Sequence, residues 1–472
     1  MKLIRTALTF LCFLSWSLFA QNECVLDFQE KYNQGEYQAA IKVSESCTEI
    51  NEDSELLHFK TRSYMYLADY EKAIPLYYKL LSFDSTNLDY LNGLGAAYFE
   101  SSQNDSAFYY YSIVLKEAPN HENALLNRRL LYMLDKQYEK ALIDIKKLTE
   151  LFPSNSEFWV DLGDAYYLTD EDDLSLLAYD KALELDPENS DAFLGKADTY
   201  LYLDNYEQAL FNVNKGIALN KNNPLLYATL GDIYYYQDDD HSEEALNAYI
   251  RSFKLEKDPD IAYCIGICHE DLGDLENAVK YYQKAIDLGS DDPDCYSDLA
   301  YLIYRQEPLK ATELFNKAIT LDPESAYTYG LAGDILFAVF AYENAIKCYT
   351  NAIKFSASFK SYNYRRGLVY DRLRDYDAAI SDYTVSISKK RKVNDSYSAR
   401  SNIYMEQGNY ELAKADLDEL MTFGNGDDQS YMNRSICHYK MGDLNDACDD
   451  MATASYFGNA EAASNVQKYC NN

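Results

Sequence analysis

The hexapeptide DYEKAI, residues 69–74, has an aromatic residue three places before an alanine, and variants of it recur along the chain. Copies are QYEKAL at 137–142, NYEQAL at 205–210, AYENAI at 341–346, DYDAAI at 375–380 and NYELAK at 409–414. We call the alanine, or the residue in its place, the anchor. Thirteen anchors follow at intervals of 33 to 36 residues: Ala40, Ala73, Ala107, Ala141, Ser175, Ala209, Ala245, Ala278, Ala311, Ala345, Ala379, Ala413 and Ala447. A fixed period of this length predicts a repeat protein in which each unit packs on the next.

Other residues keep constant distances from the anchor, and these distances are helical. A small residue such as Gly95 stands twelve places before the anchor in most repeats, and a tyrosine such as Tyr111 often stands four after it. Spacings of three, four and seven residues place side chains on one helical face, and the small residue lets two antiparallel helices approach closely. The prolines in ELDPEN (184–189) and TLDPES (320–325) end the second helix, because proline cannot continue it. Each repeat is therefore predicted to be a helical hairpin.

These residues resemble the tetratricopeptide repeat family, whose unit is a 34-residue helix-turn-helix. The resemblance covers residues 21–472 and implies an all-α fold. It implies a right-handed superhelical solenoid of about thirteen hairpins over residues 21–459 and a C-terminal capping helix over 460–472. Three departures from the pattern predict local distortion: Pro75 inside a second helix, Arg129 in place of a small residue, and the longer turn YQDDDHSEEA at 236–245.

The resemblance also implies that the first helices line a concave groove that binds peptides or other proteins. The groove positions lie eleven, eight and fifteen residues before each anchor. They supply the predicted partner-binding residues Asp164, Asp198, Asp334, Tyr167, Tyr263, Tyr364, Phe99 and Phe337, and Asp232 and Tyr235 are equivalent once the two extra residues of the long turn are allowed for. An acidic, aromatic channel suits an extended segment that carries Lys or Arg, through charge pairing and cation–π contact. The alternative is a row of solvated aspartates that discourages aggregation.

Some members of the family bind a C-terminal carboxylate through lysine and asparagine side chains on neighbouring first helices. Here only Asn402 and Arg365 resemble parts of that constellation. Binding of a chain terminus in that manner is therefore disfavoured.

Four repeats share a pair of charged residues that the other nine lack. An arginine stands thirteen places before the anchor and an aspartate three places after it: Arg128 with Asp144, Arg366 with Asp382, Arg400 with Asp416, and Arg434 with Asp450. The two helices of a hairpin would bring each pair within reach, and a buried arginine needs such a partner. We predict structural ion pairs.

The first twenty residues, MKLIRTALTFLCFLSWSLFA, differ in kind from the repeats. Lys2 and Arg5 precede an apolar run that ends at Ala20, which is the layout of a secretory signal peptide. We expect export to a periplasm or envelope, or secretion; the Gram-negative setting rests on resemblance to exported bacterial repeat proteins. Leu18 is an imperfect residue near the cleavage point, so an uncleaved anchor is the alternative.

The net charge and the cysteines bear on partners and compartment. A net charge of -34 repels phosphate backbones and anionic lipid surfaces, which argues against nucleic acid as a partner. In an oxidising compartment thiols tend to pair. Cys24 and Cys47 lie symmetrically about the turn near Gly35, and Cys448 and Cys470 lie equally far from Asn459, so disulfides are predicted at both ends. Cys437 competes for Cys448.

The stretch CIGICHEDLGD, residues 264–274, resembles a haem or zinc motif. Three residues rather than two separate Cys264 from Cys268, and His269 takes the place that tyrosine fills in other repeats, so neither cofactor nor metal is predicted. The chain contains no glycine-rich phosphate loop, nucleophile elbow or paired-carboxylate motif. The sequence therefore predicts a non-enzymatic interaction scaffold of unknown oligomeric state. There are two alternatives. One is an assembly factor or chaperone-like adaptor of an envelope complex, and the other is an enzyme with an unrecognised site.

Overall fold

The computed structural model describes residues 23–237, 241–356, 361–422 and 426–470. Within these ranges every regular element is a helix, which confirms the predicted all-α class. The predicted signal peptide, residues 1–20, and the last two residues of the predicted capping segment lie outside the described residues. The chain divides into two compact units, Met1–Ile233 and Tyr234–Asn472.

The first unit contains helices α1 to α12 and the greater part of α13. Its elements are α1 (23–33), α2 (Tyr37–Ser46), a short 3-10 helix (Thr48–Asn51), α3 (Ser54–Tyr66), α4 (Tyr70–Phe83), α5 (Leu88–Glu100), α6 (Asn104–Glu117), α7 (Glu122–Leu134), α8 (Tyr138–Leu151), α9 (Ser156–Tyr167), α10 (Asp172–Leu185), α11 (Ser190–Tyr202), α12 (Tyr206–Leu219) and α13 (Pro224–Gln237). The boundary between the units falls within α13.

The second unit continues the same alternation of helices. Its elements are α14 (Ser242–Leu255), α15 (Pro259–Asp271), α16 (Leu275–Asp287), α17 (Pro293–Ile303), α18 (Pro308–Leu321), α19 (Ala326–Ala338), α20 (Tyr342–Phe355), α21 (Tyr362–Arg372), α22 (Tyr376–Ser388), α23 (Val393–Glu406), α24 (Tyr410–Thr422), α25 (Asp428–Met441), α26 (Leu444–Tyr456) and α27 (Ala460–Tyr469).

Consecutive helices pack as pairs inside each unit, and each pair packs on the next. The strongest packing joins α3 to α4, α5 to α6 and so on to α11 and α12 in the first unit, and α15 to α16 through α25 to α26 in the second. These are the predicted hairpins. The final helix, α27, packs on α26, with Ala462 buried beside Ala454 and Met432. It occupies the place of the predicted capping helix.

Close approach within a hairpin depends on small side chains that face a large ring. All thirteen anchors are buried, Ser175 included. A Cβ atom added to Gly95 would lie 2.7 Å from the ring of Tyr111, and one added to Gly333 would lie 2.7 Å from the ring of Tyr349. The tyrosine four places after the anchor therefore fills the space that the glycine of the facing helix leaves.

The three departures from the repeat pattern are accommodated differently. Helix α4 runs through Pro75 without interruption. Arg129 on α7 forms an ion pair with Asp161 on α9, so the large side chain is used between neighbouring first helices. The long turn begins after α13 and ends at α14, and residues 238–240 within it lie outside the described part of the chain.

Of the helices in the described ranges, none has the length and apolar character needed to cross a bilayer.

Candidate partner-binding site

The four arginines thirteen places before an anchor form two hydrogen bonds each with the aspartate of the same hairpin. Arg128 donates from Nε and Nη2 to the carboxylate of Asp144 at 2.8 and 2.7 Å. The same two-bond geometry, at 2.7 to 2.8 Å, joins the pairs Arg366–Asp382, Arg400–Asp416 and Arg434–Asp450. The aspartates are buried, so each arginine neutralises a carboxylate inside the protein. The structure brings together all four predicted pairs.

A third hydrogen bond in three of these sites links one hairpin to the one before it. The remaining nitrogen, Nη1, donates from Arg366 to Thr350 at 2.9 Å and from Arg400 to Thr384 at 2.7 Å. Arg434 donates in the same way to Asp418 at 2.9 Å. These acceptors stand five places after the anchor of the preceding repeat. These acceptors were not predicted from the sequence. A polar residue five places after the anchor in these three repeats is the signal that could have identified them.

Three of the four predicted groove aspartates, Asp164, Asp198 and Asp334, accept internal hydrogen bonds rather than standing free in solvent. Asp164 accepts a hydrogen bond from the Tyr179 hydroxyl at 2.6 Å, and Asp198 accepts one from Thr229 at 2.9 Å. Burial raises the pKa of Asp164 to about 6 and the pKa of Asp198 to about 7. Asp232 lies half-buried on α13 and raises the pKa of Asp198 further through its negative charge. Near neutral pH this row therefore carries less negative charge than its composition suggests.

The predicted aromatic residues of the groove are half-buried on their first helices. In the first unit, the ring of Tyr167 contacts that of Tyr202 at 5.9 Å, and Phe99 packs beside Tyr111. In the second unit, Tyr235 contacts Tyr236 at 5.4 Å, Phe337 contacts Tyr342 at 5.9 Å, and Tyr364 contacts Tyr383 at 5.8 Å. The ring of Tyr263 contacts that of Tyr282 at 5.5 Å, and its hydroxyl donates a proton to Asp298 at 2.7 Å.

A polar cavity of about 550 Å³ opens among the first helices of the second unit. We call it the first-helix cavity. Its lining comes from α15, α17, α19, α21 and the turn before α23: Glu270, Asp298, Tyr301, Tyr327, Gly330, Leu331, Asp334, Ser361, Tyr362, Arg365, Arg391 and Lys392. Of the ten predicted groove residues, only Asp334 lines this cavity.

The acidic part of the first-helix cavity is held in place by tyrosines. Asp298 accepts hydrogen bonds from Tyr263 at 2.7 Å and from Tyr327 at 2.6 Å, while burial raises its pKa. Glu270 accepts one from Tyr282 at 2.8 Å. A carboxylate has about four acceptor positions, so these groups keep capacity for a ligand cation. The sequence could have identified Asp298 as a site residue by its position. Asp298 stands thirteen places before its anchor, and four other repeats have arginine at that place.

The basic part of the first-helix cavity comes from α21 and the turn after α22. Arg365 forms an ion pair with Asp334, which also accepts the hydroxyl proton of Tyr349 at 2.6 Å. Lys392 lies 3.3 Å from Asp395 and directly follows Arg391 in the cavity lining. The cavity therefore presents Glu270 and Asp298 to a cation, and Arg391 and Lys392 to an anion.

Both predicted cysteine pairs are adjacent in space. The Cα atoms of Cys24 and Cys47 lie 6.0 Å apart and those of Cys448 and Cys470 lie 5.6 Å apart, with the sulfur atoms of each pair joined. Cys437 is buried and remains a free thiol. Oxidation of these pairs in the cell stays a prediction.

The motif at 264–274 is part of α15 and of the following turn. His269 stacks on Tyr281 with ring centres 5.6 Å apart and lies 3.4 Å from Asp274. Throughout the described residues, no group of three or more His, Cys, Asp or Glu side chains has the geometry to hold a metal ion.

Comparison with known families finds tetratricopeptide repeats in several places. Models described as "Tetratricopeptide repeat" match residues 135–190, 178–211, 361–388 and 395–422, and a model described as "TPR repeat" matches residues 269–307.

Two curated proteins are similar to parts of the chain. Photosystem I assembly protein Ycf3 of Rippkaea orientalis is 40% identical over 74 residues, which are 15% of this chain and 42% of that protein. TPR repeat-containing protein MJ1428 of Methanocaldococcus jannaschii is 28% identical over 151 residues, 30% of this chain and 25% of that protein. The chain thus spans less than half the length of either relative.

Two solved structures are also similar. A tetratricopeptide repeat protein from Parabacteroides merdae is 21% identical, with a TM-score of 0.46, over 56% of this chain and 98% of that one. A chain of the APC/C hetero-tetramer Cut9-Hcn1 is 15% identical, with a TM-score of 0.44, over 88% of this chain and 96% of that one.

Proposed function

Since the chain is a tetratricopeptide repeat protein, we propose that it binds an extended segment of a partner protein in the first-helix cavity of its second unit. The repeats support the general role of a protein–protein interaction scaffold. The cavity is the observation that carries the specific site, because it combines an open volume of about 550 Å³ with charged groups of both signs.

The bound segment would carry a Lys or Arg side chain close to an Asp or Glu side chain. Glu270 and Asp298 suit the cation, and the tyrosine hydroxyls that bond to them fix the direction of their free lone pairs. Arg391 and Lys392 suit the anion. Electrostatic complementarity of this kind sets the register of a bound peptide and rejects segments of the wrong charge order. The sequence predicts a partner segment that carries Lys or Arg. The proposal retains that residue and adds an Asp or Glu next to it in the segment.

Paired neutralising substitutions on the two sides of the cavity test this proposal. The partner segment is identified by affinity capture from an envelope extract and cross-linking mass spectrometry, and is then synthesised. We expect Glu270→Gln and Lys392→Gln each to weaken its binding about fivefold to tenfold, because each removes one charge-assisted contact. Glu313→Gln, on the exposed face of α18, is the matched control and should leave the affinity unchanged. Unaltered affinity in both cavity variants would reject the site.

Export is part of the proposal, as the sequence predicts. It is supported by the apolar segment after Lys2 and Arg5 and by the adjacency of two cysteine pairs, which an oxidising compartment would join. A role as an assembly factor is a second candidate. The observation that favours it is the 40% identity over 74 residues to a protein named for photosystem assembly.

A further inference from the structure

A second cavity, of about 590 Å³, is lined by the second helices α6 and α8 of the first unit and by α7 between them. We call it the second-helix cavity. Leu115, Leu125 and Ile143 give it apolar walls, while Lys116, Lys146 and Lys147 stand at its edge. Arg128 also lines it, together with its partner Asp144. The first-helix cavity plays no part in this arrangement, since its residues belong to the second unit.

The second-helix cavity lies where one link of the arginine series is missing. In three sites Nη1 of the arginine donates to a Thr or Asp five places after the preceding anchor, at 2.7 to 2.9 Å. The residue at that place before Arg128 is Ser112, whose hydroxyl does not make the bond. Among the described residues the Oγ atom of Ser112 has no hydrogen-bond partner, although it is buried. Nη1 of Arg128 likewise has no acceptor within the part of the chain that the structure describes, and its guanidinium lines the cavity.

Charge around this unused donor favours an anion. The acids of the cavity are already engaged, because Asp144 binds Arg128 and Glu150 lies 3.1 Å from Lys147. Lys116 and Lys146 are exposed at the same edge. A chain with a net charge of -34 thus has here a local excess of positive charge over an apolar wall. Ile143 contributes to that wall and is 67% exposed, so its side chain is accessible to a ligand.

We infer that the second-helix cavity binds an acidic, aliphatic segment of a partner protein, with one Asp or Glu carboxylate accepting the hydrogen bond from Nη1 of Arg128. The carboxylate takes the place that Asp418 occupies beside Arg434, and Lys116 and Lys146 add long-range attraction. A neighbouring Leu or Ile of the segment packs on Ile143 and Leu115. The site is independent of the first-helix cavity and would let the scaffold bind an acidic segment in addition to the segment of mixed charge.

Substitution of Ser112 tests this inference by completing the missing link within the chain. Ser112→Thr introduces the residue that makes the bond at Thr350 and Thr384, where the hydroxyl is also held by donating to the carbonyl four residues earlier. Ser112→Asp supplies the acceptor found at Asp418. The probe is a fluorescein-labelled peptide, ELDELDEL, with QLNQLNQL as its neutral counterpart, measured by fluorescence anisotropy on the full chain. We expect the acidic peptide to bind the natural protein about tenfold more tightly than the neutral one. Both variants should weaken the acidic peptide about fivefold or more, because Nη1 is then already bonded.

The neutral Ser112→Thr variant separates a specific site from general attraction to lysines. Surface charge alone would respond to Ser112→Asp and not to Ser112→Thr. Equal affinity of the natural protein and Ser112→Thr for ELDELDEL would overturn the inference, as would equal affinity of the natural protein for both peptides. Binding of inorganic phosphate without binding of the acidic peptide would also overturn it. Circular dichroism establishes that each variant is folded, and both replacements copy residues that the chain already uses at this place.

Discussion

At the residue scale, the carboxylates of the first helices behave differently from surface acids. The pKa of Asp198 rises to about 7 chiefly because its side chain is buried, with smaller contributions from the charges of Asp232 and Asp164. A solvated row would require exposed carboxylates, whereas Asp164 and Asp198 are half-buried and hydrogen-bonded. The alternative of a merely solvating row therefore fits these two residues poorly.

The raised pKa of Asp198 predicts a stability that falls as the pH rises. The unfolded carboxyl titrates near 3.9, so between about pH 4 and pH 7 the folded protein binds more protons than the unfolded chain. Above about pH 7 the buried carboxyl is ionised, and the full cost of ionising it in the folded protein lowers the stability. We expect Asp198→Asn, which cannot ionise, to raise the free energy of unfolding by about 1–3 kcal/mol at pH 8 and by much less at pH 4.5. Thermal unfolding at the two pH values measures this difference.

The control for that measurement is Asp173→Asn, which changes an exposed aspartate on α10 of the same unit. It should not reproduce the pH-dependent gain. Equal stabilisation by Asp198→Asn at pH 4.5 and pH 8 would contradict the proposed cause, since a neutral asparagine helps only where the native aspartate is charged.

At the element scale, the packing of a hairpin depends on one small residue and one ring. Gly333 on α19 faces Tyr349 on α20, and the tyrosine hydroxyl donates to Asp334 at 2.6 Å. The ring thus fills the gap between the helices and also orients a carboxylate of the first-helix cavity. This arrangement recurs in the hairpin of Gly163 and Tyr179, whose hydroxyl donates to Asp164 at 2.6 Å. Packing and the orientation of polar groups are therefore linked in both hairpins.

Gly333→Ala should separate α19 from α20 and lower stability. The new Cβ atom would lie 2.7 Å from the Tyr349 ring, so the helices or the ring must move, at a cost of about 1–3 kcal/mol. Hydrogen–deuterium exchange in α19 and α20 measures the loss locally. The double variant Gly333→Ala with Tyr349→Leu removes the overlap, and its loss should be smaller than the sum of the two single losses. Additive losses would show that the ring does not limit the approach of the helices.

At the scale of the whole molecule, the first and the last described helix pairs each carry a pair of adjacent cysteines. The Cys24–Cys47 pair joins α1 to the end of α2, and the Cys448–Cys470 pair joins α26 to the end of α27. Terminal repeats fray more readily than internal ones because packing on one side is missing. A bridge that closes a loop of this size typically stabilises by about 2–4 kcal/mol.

An intact-mass measurement on protein from a periplasmic extract tests export and both bridges together. We expect the mass of the chain without residues 1–20, with Cys24, Cys47, Cys448 and Cys470 unmodified after alkylation of the denatured protein, and with the other five thiols alkylated. Reduction should then raise hydrogen exchange in α1, α2, α26 and α27 and leave α11 and α16 unchanged. Nine alkylated cysteines in the extracted protein would refute the bridges, and retention of residues 1–20 would refute cleavage.

The amino-acid sequence by itself determined the all-α hairpin fold through its repeat period, and it predicted the capping segment and the four arginine–aspartate pairs. These features depend on residues within one repeat, whose distances follow from helical geometry once the anchor is known. The groove residues were less predictable, because being on a first helix does not decide whether a carboxylate meets solvent or a tyrosine hydroxyl. Asp164 and Asp334 illustrate this, since each is bonded by the tyrosine fifteen residues later.

Only the tertiary structure decided which groups from different repeats meet. Asp298 receives hydroxyl groups from residues 35 and 29 positions away, and each inter-hairpin arginine bond spans 16 residues. The two cavities likewise depend on the rotation between successive hairpins, which sums many weak packing contacts and leaves no local pattern in the sequence. The unused donor of Arg128 belongs to this inter-repeat class, because the Nη1 atoms of its three counterparts bond to the preceding repeat.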